Sequence, residues 1–217
     1  PAVMRDWTKI PRILAGEWPQ KWRDIETQSP TLWPQLGAFD TEFTSNGYLL
    51  RHSLAYQDKS GLRCHVVEGK KYRDIRSSVS PNSTVVMHNA ISDIKYLKEV
   101  FPPSTDLSIP HIRIEDTMLA HSVLWSEQLH RLGFLGSLYA RINRWKHLAR
   151  SNEIEYSAGD AVATLDAWAE LNRQLQKEPA LWHIYKEQAL PAMVQIEHDE
   201  PFGLRTHQER VRSVIAE

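Results

Sequence analysis

A single cysteine, Cys64, among 217 residues excludes an internal disulfide framework and fits a reducing compartment. It lies in the run Leu62-Arg63-Cys64-His65-Val66-Val67 and reads as a small core residue rather than a nucleophile. No apolar stretch is long enough to span a bilayer, and no charged-apolar-small leader opens the chain. A soluble, cytoplasmic protein without a membrane partner is therefore expected. Charge of one sign is also missing. The 26 basic and 27 acidic side chains nearly cancel, so any contact with nucleic acid must be local. There is no internal repeat, glycine-rich phosphate loop, zinc-type Cys/His spacing or Ser-His-Asp signature. Ten histidines are scattered without ligand spacing and read as surface or core residues. An initiator methionine is lacking too, and Pro1 suggests processing or a piece cut from a longer polypeptide.

What is present is organised around Leu36-Gly37-Ala38-Phe39-Asp40-Thr41-Glu42-Phe43, which reads as a buried strand carrying two acids. Alternation puts Asp40 and Glu42 on one face and Phe39, Thr41 and Phe43 on the other. Two carboxylates side by side in an apolar strand are costly unless a cation lies between them, and a hard divalent ion is the usual occupant. On these residues alone, a strand end with two solvated acids remains the alternative. The outcome turns on whether further acids converge there.

Before this strand, residues 1–34 carry Trp7, Trp18, Trp22 and Trp33 among prolines and charges and show no sustained period, as an appended arm would. After it, Ser45-Asn46-Gly47 signals a turn, and Tyr48 to Gln57 a second strand with Leu50, His52, Leu54 and Tyr56 on one face. A turn at Asp58-Lys59-Ser60-Gly61 leads to a third strand over Leu62 to Val67. Lys70, Lys71, Arg73 and Arg76 form a small basic run that reads as a solvated face. Thr84 to Met87 reads as a buried strand, and His88 to Leu97 as a helix whose four-residue spacing puts Asn89 and Asp93 on one side. Another strand over Ile112 to Ile114 is followed by a helix with Asp116 as N-cap. Leu132 to Ile142 is helical in pattern. Then come Arg141, Arg144, Lys146, His147 and Arg150 around Trp145, either a single-strand-tracking patch or an ordinary wet surface. Tyr156 to Lys177 reads as a long helix with Ala161, Leu165, Trp168 and Leu175 in its apolar stripe. Tyr156 and Asp160 share a face one turn apart, near the helix start. Pro179 marks a break. A helix over Ala189 to His198, a turn at Pro201-Phe202-Gly203 and a last helix with Thr206 and Glu209 as its capping box complete the pattern.

The order Asp40-x-Glu42, Asn89-x-x-x-Asp93, Tyr156-x-x-x-Asp160 resembles the DEDD superfamily of 3′-5′ exonucleases in its tyrosine-bearing branch. Each motif is weak singly, and the conjunction over residues 36–177 carries the resemblance. Glu155 stands where the histidine-bearing branch carries its histidine. Glu115 to Ser122, His130 to Tyr139 and Leu190 to Arg205 resemble segments of the proofreading exonuclease domain of family A DNA polymerases. The resemblance implies a ribonuclease H-like α/β fold, a mixed sheet of antiparallel meander plus parallel strands flanked by helices. It further implies two divalent ions, Mg²⁺ or Mn²⁺, held by Asp40, Glu42, Asp93 and Asp160, with Tyr156 against the attacking water. Thr41, Phe43 and Asn89 would touch substrate, a single-stranded DNA 3′ end. The implied organisation is an arm at 1–34, an exonuclease domain at 35–178, and a helical segment at 179–217 leading toward a polymerase domain in the same parent chain, working with replicating DNA.

Two positions depart from the family pattern. Thr44-Ser45-Asn46-Gly47 is polar where members place an apolar wedge, leaving Phe43 or Tyr48 as substitutes, and Ser92 stands where an aromatic is frequent. Two further readings stay open. One is a non-catalytic DNA-binding module with the exonuclease fold. The other is a standalone ribonuclease D-like RNA 3′ exonuclease.

Overall fold

The computed structural model describes residues 25–28, 30, 34–69, 82–100 and 112–199. The basic run at 70–76, most of the tryptophan-bearing arm, and the turn and last helix after Asp199 lie outside these residues. Six strands form one sheet: β1 (Ile25–Glu26), β2 (Leu36–Phe43), β3 (Leu49–Asp58), β4 (Gly61–Glu68), β5 (Ser83–Met87) and β6 (Ile112–Asp116), in the order β1-β4-β3-β2-β5-β6. The β2-β3-β4 meander is antiparallel, while β1 pairs with β4, and β5 with β2 and β6, in parallel. The mixed sheet expected from the sequence is thus present, with β2 flanked by the meander on one side and the parallel strands on the other. Between β2 and β3 the chain turns through Gly47, whose φ of 77° is one that a residue without Cβ adopts freely.

The helices are α1 (Ile91–Val100), α2 (Thr117–Leu124), α3 (Leu132–Tyr139), α4 (Glu153–Leu175), α5 (Pro179–Ile184) and α6 (Leu190–Asp199), with a 3₁₀ turn at Lys146–Arg150 and a π turn at Tyr185–Ala189. They cover both faces of the sheet. One apolar core joins Ala38, Ala55, Cys64, Val66 and Val86 to α3 and α4, and the other joins Phe39, Leu54, Val85 and Met87 to Ile94 and Leu97 of α1 and Met193 of α6. Burial on both faces explains why the central strands read as continuous apolar runs. Ser157, Ala158, Gly159, Ala161 and Ala163 give α4 small side chains over a stretch that is buried on all sides. The helix can therefore lie close enough to the sheet for the Ser53 hydroxyl to donate to the Ser157 carbonyl at 3.0 Å.

Three local expectations are corrected. Leu50 does not share the inner face with His52 and Leu54. The β2-β3 register shifts from Glu42↔Arg51 to Phe43↔Leu49, so Leu50 is the extra residue of a bulge and is exposed. Asn89 is not in α1; it precedes the helix with φ 59°, a left-handed conformation that asparagine tolerates. And α4 starts at Glu153, with the Asn152 side chain accepting from the Glu155 N–H. Asp160 therefore lies two turns in, beyond the reach of the helix-end dipole.

The segment after α4 also joins the domain core. Tyr185 is fully buried, donating to Glu115 at 2.9 Å and accepting the Asp116 N–H at 2.9 Å. Among the described residues no helix is long and apolar enough to cross a membrane.

Candidate active site

Acids from β2 and α4 meet on one face of the sheet. One carboxylate oxygen from each of Asp40, Glu42 and Asp160 lies within 4.8 Å of the others. The β2 alternation presents the first two together, and the small side chains of α4 let Asp160 descend onto them. Burial raises Asp40 well above the usual carboxylate range, and Asp93, Asp160 and Glu42 push it the same way. Burial also raises Glu42, reinforced by Asp160 and opposed by Lys146 and Arg51. Arg51, opposite Glu42 in the sheet, pairs with Glu153 at the start of α4.

Asp93 is not a member of this three-acid cluster. It sits in the first turn of α1, buried, and accepts a hydrogen bond from the Thr41 hydroxyl, which alternation turns to the opposite face of β2. Burial is the main reason its carboxyl is pushed up to about 7, with the Thr41 bond working against that rise. Thr41, expected at the substrate, is thus engaged with Asp93. Asn89 is exposed, and its backbone N–H donates to Asp116 at 3.3 Å, so any side-chain contact would come from a loop rather than a helix face. Asp116 caps α2 and ties down the turn ahead of α1 with one carboxylate: it accepts from Met118 and Leu119 of α2 at 2.7 and 3.1 Å, and from Ala90 at 2.7 Å. Asp93 lies three residues beyond the Ala90 that Asp116 holds. Phe43 and Tyr48 are exposed at the β2-β3 hairpin, Tyr48 at 68%.

Two residues were not legible as site residues in the sequence. Trp145 is not an exposed stacking platform. It is buried, wedged between Gly136 of α3 and Gly159 of α4, where an added Cβ would come within 2.2 and 2.4 Å of the indole. Its ring N–H donates to Asp160 Oδ1 at 2.5 Å. Lys146 follows, with Nζ 2.8 Å from Asp160 Oδ2 and 3.1 Å from the Tyr156 hydroxyl. Burial disfavours its charge, but Asp160 and the hydrogen bonds to Asp160 and Tyr156 prevail and raise its pKa. The half-buried Tyr156 phenol is also raised, by burial and then by Asp160, so it keeps its proton at neutral pH. Arg141, from the same basic run, is committed elsewhere, to a two-point pair with Asp166 at 3.0 and 2.5 Å.

The donor set fits a hard divalent cation. It offers only carboxylate oxygens, their mutual repulsion calls for positive charge, and Asp40 Oδ2 is buried with no hydrogen-bond partner. Lys146 supplies part of that charge from one side. It leaves the Asp40 oxygen unanswered.

The mixed six-stranded sheet flanked by helices is a ribonuclease H-like fold. The chain is a member of the 3′-5′ exonuclease family, whose family model matches residues 35–176. It is accordingly a metal-dependent exonuclease of the DEDD kind, a chemistry that uses two divalent ions. Among solved structures it is similar to Brucella melitensis NrnC with bound Mg²⁺, at 14% identity and a TM-score of 0.55 over 82% of this chain and 92% of that one. An apo nuclease matches at 15% identity and a TM-score of 0.57, over 79% and 88%. Escherichia coli RNase D, an exoribonuclease involved in structured RNA processing, matches at 17% identity and 0.55, over 75% of this chain and 45% of its own. No curated protein matches the chain.

Proposed function

We propose that the chain hydrolyses the terminal phosphodiester bond at single-stranded DNA 3′ ends, releasing nucleoside 5′-monophosphates, with Asp40, Glu42, Asp93 and Asp160 as metal-holding acids. The observation that carries this reading is the convergence of Asp40, Glu42 and Asp160, one oxygen of Asp40 being buried without a hydrogen-bond partner. Divalent ions bound there would stabilise charge on the phosphoryl oxygens and lower the pKa of the attacking water. The protein's own groups supply the rest. Tyr156, protonated and one helical turn from Asp160, is placed to orient the water rather than to deprotonate it. Water oxygen bonds to phosphorus, the bond from phosphorus to the 3′ oxygen of the preceding nucleotide breaks, and that oxygen takes up a proton. Thr41 positions Asp93. Asn89 and Phe43, both exposed, are the proposed substrate contacts.

DNA is favoured by the resemblance of residues 190–205 to a junction with a polymerase. On that reading the exonuclease domain spans 35–178, follows an arm at 1–34, and continues through 179–217 toward a polymerase domain in a cytoplasmic replication protein. RNA is the second reading, favoured by the fold likeness to RNase D, described as an exoribonuclease. DNA and RNA strands of one sequence, 5′-labelled and digested with Mg²⁺ or Mn²⁺, separate the two. Stepwise shortening with DNA faster supports proofreading, RNA faster reverses the substrate, and intact strands that remain bound would point to a non-catalytic module.

A further inference from the structure

Both oxygens of Asp160 are engaged by one dipeptide. The Trp145 indole donates to Oδ1, and the Lys146 ammonium lies 2.6 Å from Oδ1 and 2.8 Å from Oδ2. These are the two oxygens that a divalent ion held by Asp40, Glu42 and Asp160 has available on this residue. The two donors are anchored differently. Trp145 is locked between Gly136 and Gly159 and cannot leave without disturbing two helices. Lys146 has a side chain 40% exposed on a flexible stem, with its ammonium 4.7 Å from the centre of the Tyr156 ring. A fixed donor and a movable cation thus share one carboxylate.

We infer that Lys146 is a built-in counter-cation that competes with the metal ion for Asp160 and so weakens metal binding at this side of the site. The inference rests on the metal-site reading above. Without an ion, the three clustered carboxylates repel one another, and the ammonium offsets part of that repulsion. With an ion, the ammonium and the metal contend for the same oxygens, and two like charges a few ångströms apart repel. The lysine stem is long enough to swing away while the tryptophan keeps Asp160 in place. A substrate phosphate offers an alternative anion for the displaced ammonium, so metal affinity at this side should rise when a strand is bound.

The test measures metal binding directly. Mn²⁺ binding to the intact chain is followed by electron paramagnetic resonance and titration calorimetry at fixed ionic strength, without nucleic acid, for wild type, Lys146→Met, Lys146→Arg and Asp40→Ala. Removing a unit charge at this distance should tighten the Asp40-dependent Mn²⁺ binding by about fivefold or more, whereas Lys146→Arg should stay near wild type. A second readout is the rise in melting temperature on adding Mn²⁺, which should be larger for Lys146→Met because its metal-free acids lack their counter-charge. Unchanged or weaker Mn²⁺ binding by a folded Lys146→Met overturns the competition and leaves the metal site standing. Absence of any Asp40-dependent Mn²⁺ binding in the wild type overturns both.

Discussion

At the scale of single residues, the site depends on contacts no motif records. Trp145 fixes Asp160 through one hydrogen bond and its own burial. Trp145→Phe keeps most of the ring and removes only the donor. A hydrogen bond to a charged group contributes about 1.5–3 kcal/mol, so chemical denaturation of this variant should show a stability loss of that order. Looser placement of Asp160 should lower kcat by about tenfold or more, a change that single-turnover assays on a short strand would read. Full activity with reduced stability would reduce Trp145 to a packing residue. The acids were visible in the sequence because alternation and helical spacing are local rules. Trp145 and Lys146 were not, since a tryptophan among basic residues gives no sign that it is buried between two glycines from different helices.

At the scale of elements, the start of α1 that carries Asp93 is tied to the cap of α2 through Asp116. Asp116 was legible as the N-cap of α2, because a residue before an apolar helical run is a local signal. Its second task, closing the turn ahead of α1, was hidden. The β5-β6 pairing that brings Met87 and Asp116 side by side is a tertiary fact. The same gap explains why Asn89 read as helical: spacing by four fits, yet the left-handed turn at Asn89 starts α1 only at Ile91. Asp116→Ala removes the N-cap of α2, about 1 kcal/mol, and leaves the buried Ala90 N–H ahead of α1 without its acceptor, about 1–3 kcal/mol. The expected loss is therefore about 2–4 kcal/mol in urea melts, with hydrogen exchange accelerating at the starts of both α1 and α2. Acceleration confined to α2 would show that the link to Asp93 is not functional. The bulge at Glu42/Phe43 is likewise invisible in alternation, and it is what exposes Leu50.

At the scale of the molecule, the sheet gathers acids that the metal-free protein must bear at a cost. The fold class, the β2 span and the order of elements were legible because apolar runs and turn residues mark them, whereas the approach of α4 to the sheet depends on long-range packing. The cost has a pH signature. Asp93 rises from its ordinary value of 3.8 to about 7 on folding, chiefly through burial, so the folded state holds its proton more tightly than the unfolded one. Its contribution is fully present below about pH 4 and is lost as pH rises through about 7. Buried His52 and His88, both lowered from 6.5 to about 4, act in the opposite direction over most of that range. The comparison must therefore be with Asp93→Asn. In EDTA, the melting temperature of wild type should fall relative to Asp93→Asn between pH 4 and 7. A constant difference would mean that Asp93 does not carry a raised pKa.

The central claim is that the acids gathered by β2 and α4 make this chain a metal-dependent 3′-5′ exonuclease. It is tested most directly by the release of labelled monophosphate from single strands labelled in parallel at the 3′ or the 5′ end as Mn²⁺ is titrated in, with wild type beside Asp40→Ala. The account predicts prompt release from the 3′ end only, dependent on Mn²⁺, abolished by EDTA and lost in Asp40→Ala. Release that persists in Asp40→Ala, or appears first from the 5′ end, would contradict it.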